Sequence, residues 1–295
     1  MNTMVQDKTG GLPDFDKFWD YNDPAATEKK FRDILPSTEG HVAYRLELQT
    51  QIGRTLGLQQ KFTEAHTLLD SVQSSLVDDM KRVRVRYLLE RGRVFNSSKE
   101  KGRALPLFKE AWEVGKAAKE ESLAMDAAHM VAIASEAEES LKWNLMAIDL
   151  AEKSKDAEVA KWLGALYNNT GFSYIEKKDY DQAMGFFKKG LAYREERGQK
   201  PQARIAKWTV AHTHRLKGEF ETAYTQQLSL LKEIETEKAD QDGYVFEEIA
   251  ECLLAMDKKD EAKPYFTKAY SLLSKDQWLQ SNEPKRLKRL EELGS

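Results

Sequence analysis

Few residues in this chain are typed and spaced for chemistry. There are five histidines, and His212 and His214 stand closest together. Two residues apart on a helix, they face different directions and are not placed to share a metal ion. The single cysteine, Cys252, lies between Glu251 and Leu253. It reads as a small apolar side chain on a buried helix face rather than as a reactive thiol. Glu247 and Glu251, four apart, would stack on one helix face. They are the one carboxylate pair worth inspecting for acid–base work, although in a chain with 32% charged residues solvated surface acids explain them as well. HExxH, a phosphate-binding loop and GxSxG do not occur. The expectation is a protein that is not an enzyme, with no catalytic residue, no metal site and no cofactor.

Bulk properties exclude more. A net charge of −3 provides no global field for nucleic acid or an anionic membrane. One cysteine rules out an intrachain disulfide and suits a reducing compartment. Residues 1–13 lack a basic segment followed by an apolar run, so they do not read as a signal peptide. No stretch approaches the length of apolar sequence needed to cross a membrane. The expected location is cytoplasmic, with a protein or peptide as partner rather than nucleic acid or membrane.

The elements that would position any site announce themselves by repetition. A small residue returns every 39 or 40 positions, at Gly53, Gly92, Ala132, Gly171, Ala211 and Ala250. Twelve residues after each stands a second mark: Ala65, Ala104, Asn144, Ala183, Ala223 and Ala262. Periods of this size signal a solenoid, whose units bury their apolar faces against their neighbours. In the fourth unit Tyr167, Gly171 and Tyr174 share a helix face, and Lys177-Lys178-Asp179 interrupts the pattern. Tyr180, Ala183, Phe187, Gly190 and Leu191 then begin a second stripe. Each unit is therefore a helix-turn-helix hairpin whose small residues let the two helices approach closely.

Tyr167-x2-Thr170-Gly171-x2-Tyr174 followed by Ala183-x3-Phe187-x2-Gly190 resembles the tetratricopeptide repeat. Phe246, Ile249-Ala250, Leu253, Ala262, Phe266 and Ala269 match it again. The fifth unit carries Gln227 where an aromatic belongs, and the third has Asn144 in place of its second small residue. The repeats exceed the family's 34-residue standard, and segments 153–156 and 197–201 read as connections that absorb the excess. HEAT or armadillo repeats share the period, but paired small residues twelve apart argue against them. The expected fold is all-α, a right-handed α-solenoid of such hairpins with a capping helix at each end. Its expected parts are a flexible tail over 1–13, an N-terminal capping region over 14–40, six repeats over 41–281 starting near 46, 85, 125, 164, 204 and 243, and a C-terminal capping helix over 282–295.

At the N-terminal end, Asp23-Pro24 opens a helix carrying Phe31, Ile34 and Leu35, against which Phe15, Phe18 and Trp19 should pack. At the other end, Leu287, Leu290 and Leu293 should close the last repeat, with Lys285, Arg286, Lys288 and Arg289 forming a solvated outer face.

The resemblance also implies a concave groove lined by the first helices. In register, it would present Glu47, Gln51 and Arg54, then Arg86, Glu90, Arg93 and Asn96, then Asp126, His129, Met130 and Ile133. Asn168, Asn169 and Phe172 follow, then Trp208, His212 and Arg215, and finally Tyr244, Glu247, Glu248 and Glu251. Arginines fall toward the N-terminal half and the glutamates toward the end, either as a field that orients a polar ligand or as ordinary helix-surface charge. Asn168 and Asn169 are suited to hold a peptide backbone, and Trp208 would serve as an apolar anchor unless it packs beneath the array. Some tetratricopeptide co-chaperones grip a C-terminal carboxylate with basic first-helix residues. Here only Asn169 matches, since Ile205, Thr209, His129 and Ile133 stand where basic or polar partners would be needed. The implied function is a non-enzymatic scaffold that binds protein or peptide. The alternative is a ligand- or peptide-sensing regulator acting through a partner. A homodimer through the solenoid ends, or through an exposed second-helix face carrying Trp112, is a further expectation.

Overall fold

The period-marking small residues sit where two helices touch. The computed structural model describes residues 11–295. The tail expected over 1–13 thus lies outside the described residues up to position 10, and the Pro13 carbonyl is held, accepting a hydrogen bond from the Tyr44 hydroxyl at 2.7 Å. Contacts divide the chain into a first unit ending at Trp162 and a second, Leu163–Ser295. Among the described residues there is no β-strand.

The first unit begins with a 3-10 turn, Phe15–Phe18, and α1 (Pro24–Ile34). The Asp23 carboxylate caps α1 by accepting from the Ala26 amide at 2.9 Å, and Pro24 stands at the first helical position. Three hairpins follow: α2 (Val42–Leu58) with α3 (Phe62–Ser74), α4 (Lys81–Ser97) with α5 (Lys101–Ala117), and α6 (Glu121–Ala134) with α7 (Ala137–Lys153). A single turn, α8 (Ala157–Ala160), ends the unit. Phe31 is fully buried under the rings of Phe15 and Trp19, at centroid distances of 6.2 and 5.4 Å. Phe18, expected beside them, is exposed instead.

The second unit repeats the plan with α9 (Leu163–Glu176) and α10 (Tyr180–Glu196), α11 (Lys200–Leu216) and α12 (Phe220–Thr236), and α13 (Gly243–Ala255) and α14 (Lys259–Leu273). A short α15 (Gln277–Asn282) leads into α16 (Pro284–Gly294), which packs Leu287 and Leu290 into the core beside Phe266 and Leu279. Lys200 and Pro201 already form the first turn of α11, so the connection read at 197–201 shrinks to three residues.

In the three hairpins whose first small residue is glycine, the side chain sixteen positions later drops onto it. Leu69 lies on Gly53, Phe108 on Gly92 and Phe187 on Gly171, so closely that a Cβ at Gly92 or Gly171 would stand 2.4 Å from the ring. Gln227 takes this place in the fifth hairpin and is fully buried. Its Nε2 donates to the Trp208 carbonyl at 3.4 Å, while its Oε1 has no partner among the described residues. That is a polar insert in an apolar seam.

The hairpin turns use a device that glycine marks in only one of them. In five of the six, the residue seven past the small mark has a left-handed backbone: Gln60, Lys99, Lys178, Gly218 and Asp257. The next amide then reaches back to a carbonyl five residues earlier, as Glu100 to Phe95 at 2.8 Å and Asp179 to Tyr174 at 2.9 Å. The third hairpin lacks it. There α6 stops early, Ser135 and Glu136 are extended, and α7 starts after only two residues.

Candidate functional site

The first-helix face of the first unit has little free charge to offer. Arg54 lies 3.6 Å from Glu90, and Arg93 reaches both Glu90 at 2.8 Å and Asp126 at 2.6 Å. Burial works against ionising Asp126, yet the Arg93 guanidinium holds its carboxyl below the ordinary range. His129 packs its ring 5.0 Å from that of Trp162, and burial, aided by Arg93, lowers its pKa and favours the neutral imidazole.

The same face is partly covered by the chain's own N-terminal segment. Asp16 accepts from Arg86, at 3.2 Å to one nitrogen, and Glu47 lies 2.8 Å from the Nε of Arg86. The Trp19 indole donates to Gln51 at 3.2 Å. Arg54 sits over the rings of Trp19 and Tyr21, at 5.3 and 5.2 Å. Arg54 and Arg86 therefore hold the cap, a role the sequence reading did not give them.

In the second unit the three glutamates of α13 are each paired. The Glu248 carboxylate accepts from Arg215 through both oxygens, each at 2.8 Å, and lies 2.9 Å from the Nδ1 of His212. Burial alone would raise its pKa, but these partners bring it down to about 2. Glu247 pairs with Arg286 at 2.6 Å and Glu251 with Arg289, so both basic residues come from α16. Donating to the Glu247 carboxylate raises the pKa of Arg286. Two corrections follow. Glu247 is buried and Glu251 half-buried, and a different arginine claims each, so they are neither freely solvated acids nor coupled to one another. The basic quartet of α16 is only half an outer face, since Arg286 and Arg289 turn inward onto α13.

Trp208 is also built in. Its ring stacks on His212 at 4.8 Å, and its indole donates to the Tyr244 carbonyl at 3.1 Å. Tyr244 in turn lies 5.2 Å under the Arg286 guanidinium. Trp208, His212, Arg215 and Tyr244 thus come together with Glu248, as one bonded layer. Phe172 packs edge-on against Phe187 at 5.2 Å. Cys252 is fully buried, and burial pushes its thiol up to about 12. Trp112, expected on an exposed face, is buried edge-on against Trp143 at 5.6 Å.

Asn168 and Asn169 have a different setting. They line a cavity of about 180 Å³ in the second unit, with Gly164 and Ala165 of α9, Phe187, Gly190 and Arg194 of α10, and Gln202, Ile205, Ala206 and Thr209 of α11. Ile205 is 56% exposed on its rim, a large apolar side chain facing water. The sequence reading missed Arg194, because it lies on a second helix and no first-helix register includes it. Among the described residues no cluster of three or more His, Cys, Asp or Glu could hold a metal ion, and no helix is long and apolar enough to cross a membrane.

The fold is that of a tetratricopeptide-repeat protein: paired helices meeting at periodic small residues, with a polar first-helix face. The tetratricopeptide repeat family model matches residues 245–273, within the last hairpin. Solved structures with a similar fold include the apo form of RapI, at 13% identity over 89% of this chain and 77% of that one, with a TM-score of 0.70. The apo form of the quorum sensor NprR from B. thuringiensis aligns at 14% identity over 94% and 78%, with a TM-score of 0.58. Aspartyl phosphate phosphatase F from Bacillus subtilis aligns at 14% over 88% and 72%, at 0.56. At these identities the likeness is one of architecture. Comparison with curated proteins by sequence gives no match.

Proposed function

We propose that the protein is a non-enzymatic, cytoplasmic scaffold that binds an extended peptide or protein segment on the first-helix face of its second unit. The supporting observation is the cavity beside Asn168 and Asn169. It pairs amides that can both donate and accept with the exposed Ile205, while Arg215 and the α13 acids Glu247 and Glu248 are already matched. A peptide offers the same combination: backbone amides and carbonyls in a row, and alternate side chains to fill an apolar rim. Covalent catalysis has little to start from, since Cys252 is buried and protonated and the Glu248–His212 contact is locked by Arg215. The likeness in fold to the quorum sensor NprR supports a second reading, a peptide-sensing regulator that acts through a partner. A pair of copies remains part of the proposal through the solenoid ends rather than through Trp112.

A displayed library of random linear peptides tests the first reading. Wild type is expected to enrich a family of sequences that Asn168→Ala/Asn169→Ala, with unchanged melting, does not. Equal enrichment by both proteins would refute the assignment of the face.

A further inference from the structure

Among the described residues Arg194 has no carboxylate partner, unlike every other arginine of its unit. Arg197, Arg204, Arg215, Arg286 and Arg289 each meet a carboxylate. Arg194 has only a neutral acceptor, the Gln199 amide oxygen at 3.1 Å. Its guanidinium lies against the backbone of α9 at Gly164, where a Cβ would come within 2.9 Å of its Cζ. Gly164 therefore leaves the space that the charged group fills, at the edge of the same 180 Å³ cavity.

Resting on the peptide-binding reading above, we propose that this cavity is an anion subsite that takes a carboxylate of the bound peptide, an Asp or Glu side chain or a free C-terminus. Arg194 supplies the charge from the second helix. Asn168, Asn169 and Gln202 supply neutral donors around it, and Ile205 offers an apolar wall to the neighbouring residue.

Several properties of the site agree. The cavity is smaller than the roughly 300–1,000 Å³ of a pocket that encloses a whole metabolite, so it suits one end group of a larger ligand. Gly164 and Ala165 belong to the first turn of α9, where the helix dipole favours negative charge. Burial lowers the pKa of Arg194, the direction expected of a cation that gives up water and gains no anion. A peptide carboxylate would supply the missing charge and a fork of two hydrogen bonds.

The test uses the full chain in two arms. In the first, wild type, Arg194→Gln, Arg194→Lys and Gly164→Ala select from a displayed peptide library with free C-termini and from a second library with amidated ones. Wild type is expected to enrich an Asp or Glu at one fixed position, or the free C-terminus. Arg194→Gln should lose that preference and about tenfold to a hundredfold in affinity for the selected peptide, with Arg194→Lys between. Gly164→Ala keeps the charge and favours the helix but displaces the guanidinium, and it should weaken the same preference. Peptides enriched without any acidic or C-terminal preference, or with one that survives Arg194→Gln, would overturn the subsite while leaving peptide binding standing. In the second arm the Nε–H resonance of Arg194 is followed by NMR during titration with acetate, N-acetylglutamate and inorganic phosphate. A saturable shift with the carboxylates, weaker with phosphate, is expected even if no peptide is enriched, which would sink the peptide reading alone. No shift with any anion, or a response to phosphate only, would overturn the carboxylate assignment.

Discussion

Replacing Glu248 by Gln removes one charge and keeps the shape, so it isolates the electrostatic contribution of the bonded layer around Trp208. The carboxylate is 4% exposed, accepts from Arg215 through both oxygens and touches His212. Its pKa falls from the ordinary 4.5 to about 2, a difference equivalent to roughly 3 kcal/mol of preference for the charged form in the fold. Breaking a buried pair leaves Arg215 desolvated without an anion, and such losses are on the order of 3 kcal/mol or more. Urea unfolding at pH 7 should place Glu248→Gln about 3 kcal/mol below wild type, with hydrogen exchange accelerated first in α11 and α13. The pH dependence carries a sign. A carboxylate depressed in the folded state contributes its full stability above the unfolded pKa and loses it as pH falls toward the folded one. The gap between wild type and variant should be constant from pH 7 to about 5 and should shrink by more than half by pH 3. A gap below about 0.5 kcal/mol at pH 7, or one that is undiminished at pH 3, would refute the idea that this carboxylate is held charged by its neighbours.

Three further outcomes are expected. Gly171→Ala forces a Cβ to 2.4 Å from the Phe187 ring and should cost about 1–3 kcal/mol, whereas Gly185→Ala, with nothing near its Cβ on the exposed side of α10, should gain roughly 0.5–1 kcal/mol in the same thermal melt. Lys99→Gly and Lys178→Gly relieve a left-handed backbone at a non-glycine residue and should each raise stability by up to about 1 kcal/mol, less the extra freedom given to the unfolded chain, by the same measure. Cys252, buried and with its thiol pushed up to about 12, should resist a thiol-specific chromogenic reagent at pH 8 in the native protein and react at once in denaturant. Rapid native labelling would show that α13 opens far more readily than its packing implies.

The hairpins were legible in the sequence because close approach demands small residues, and small residues at a fixed period survive as a pattern. The turns were not. Their left-handed positions are filled by Gln60, Lys99, Lys178 and Asp257, which carry no glycine signature, and only Gly218 advertises the bend. The third hairpin kept its period while changing its turn, since an early start to α7 compensates an early end to α6 and leaves Asn144 buried in register. Partners across helices escaped for a related reason. Register says that Arg54, Arg86 and Glu247 stand on one kind of face, but not that Asp16, Trp19 and Arg286 come from the caps to meet them. Arg194 was invisible because the expected recognition surface was defined by first helices alone.

On the proposed reading, those pairings bear on where a ligand gains most. A face whose arginines and carboxylates are already matched gains little by exchanging one partner for another, because the incoming group must displace a bond of equal kind and both must be desolvated. Glu248 with Arg215, Glu247 with Arg286 and Arg93 with Asp126 are settled in this sense, and they stiffen the helices they join. Arg194 is different, since it is half-buried in the fold and, among the described residues, no carboxylate meets it. A ligand that brings a carboxylate gains the Coulombic attraction there at a reduced cost, which is the condition for a few contacts to dominate an interface. The same reasoning predicts the effect of building a partner in. Asn168→Asp would place a carboxylate across the cavity from the guanidinium, stabilise the unit and abolish selection of acidic peptides. An Asn168→Asp protein that still selects them would mean that the charge read by the ligand lies elsewhere.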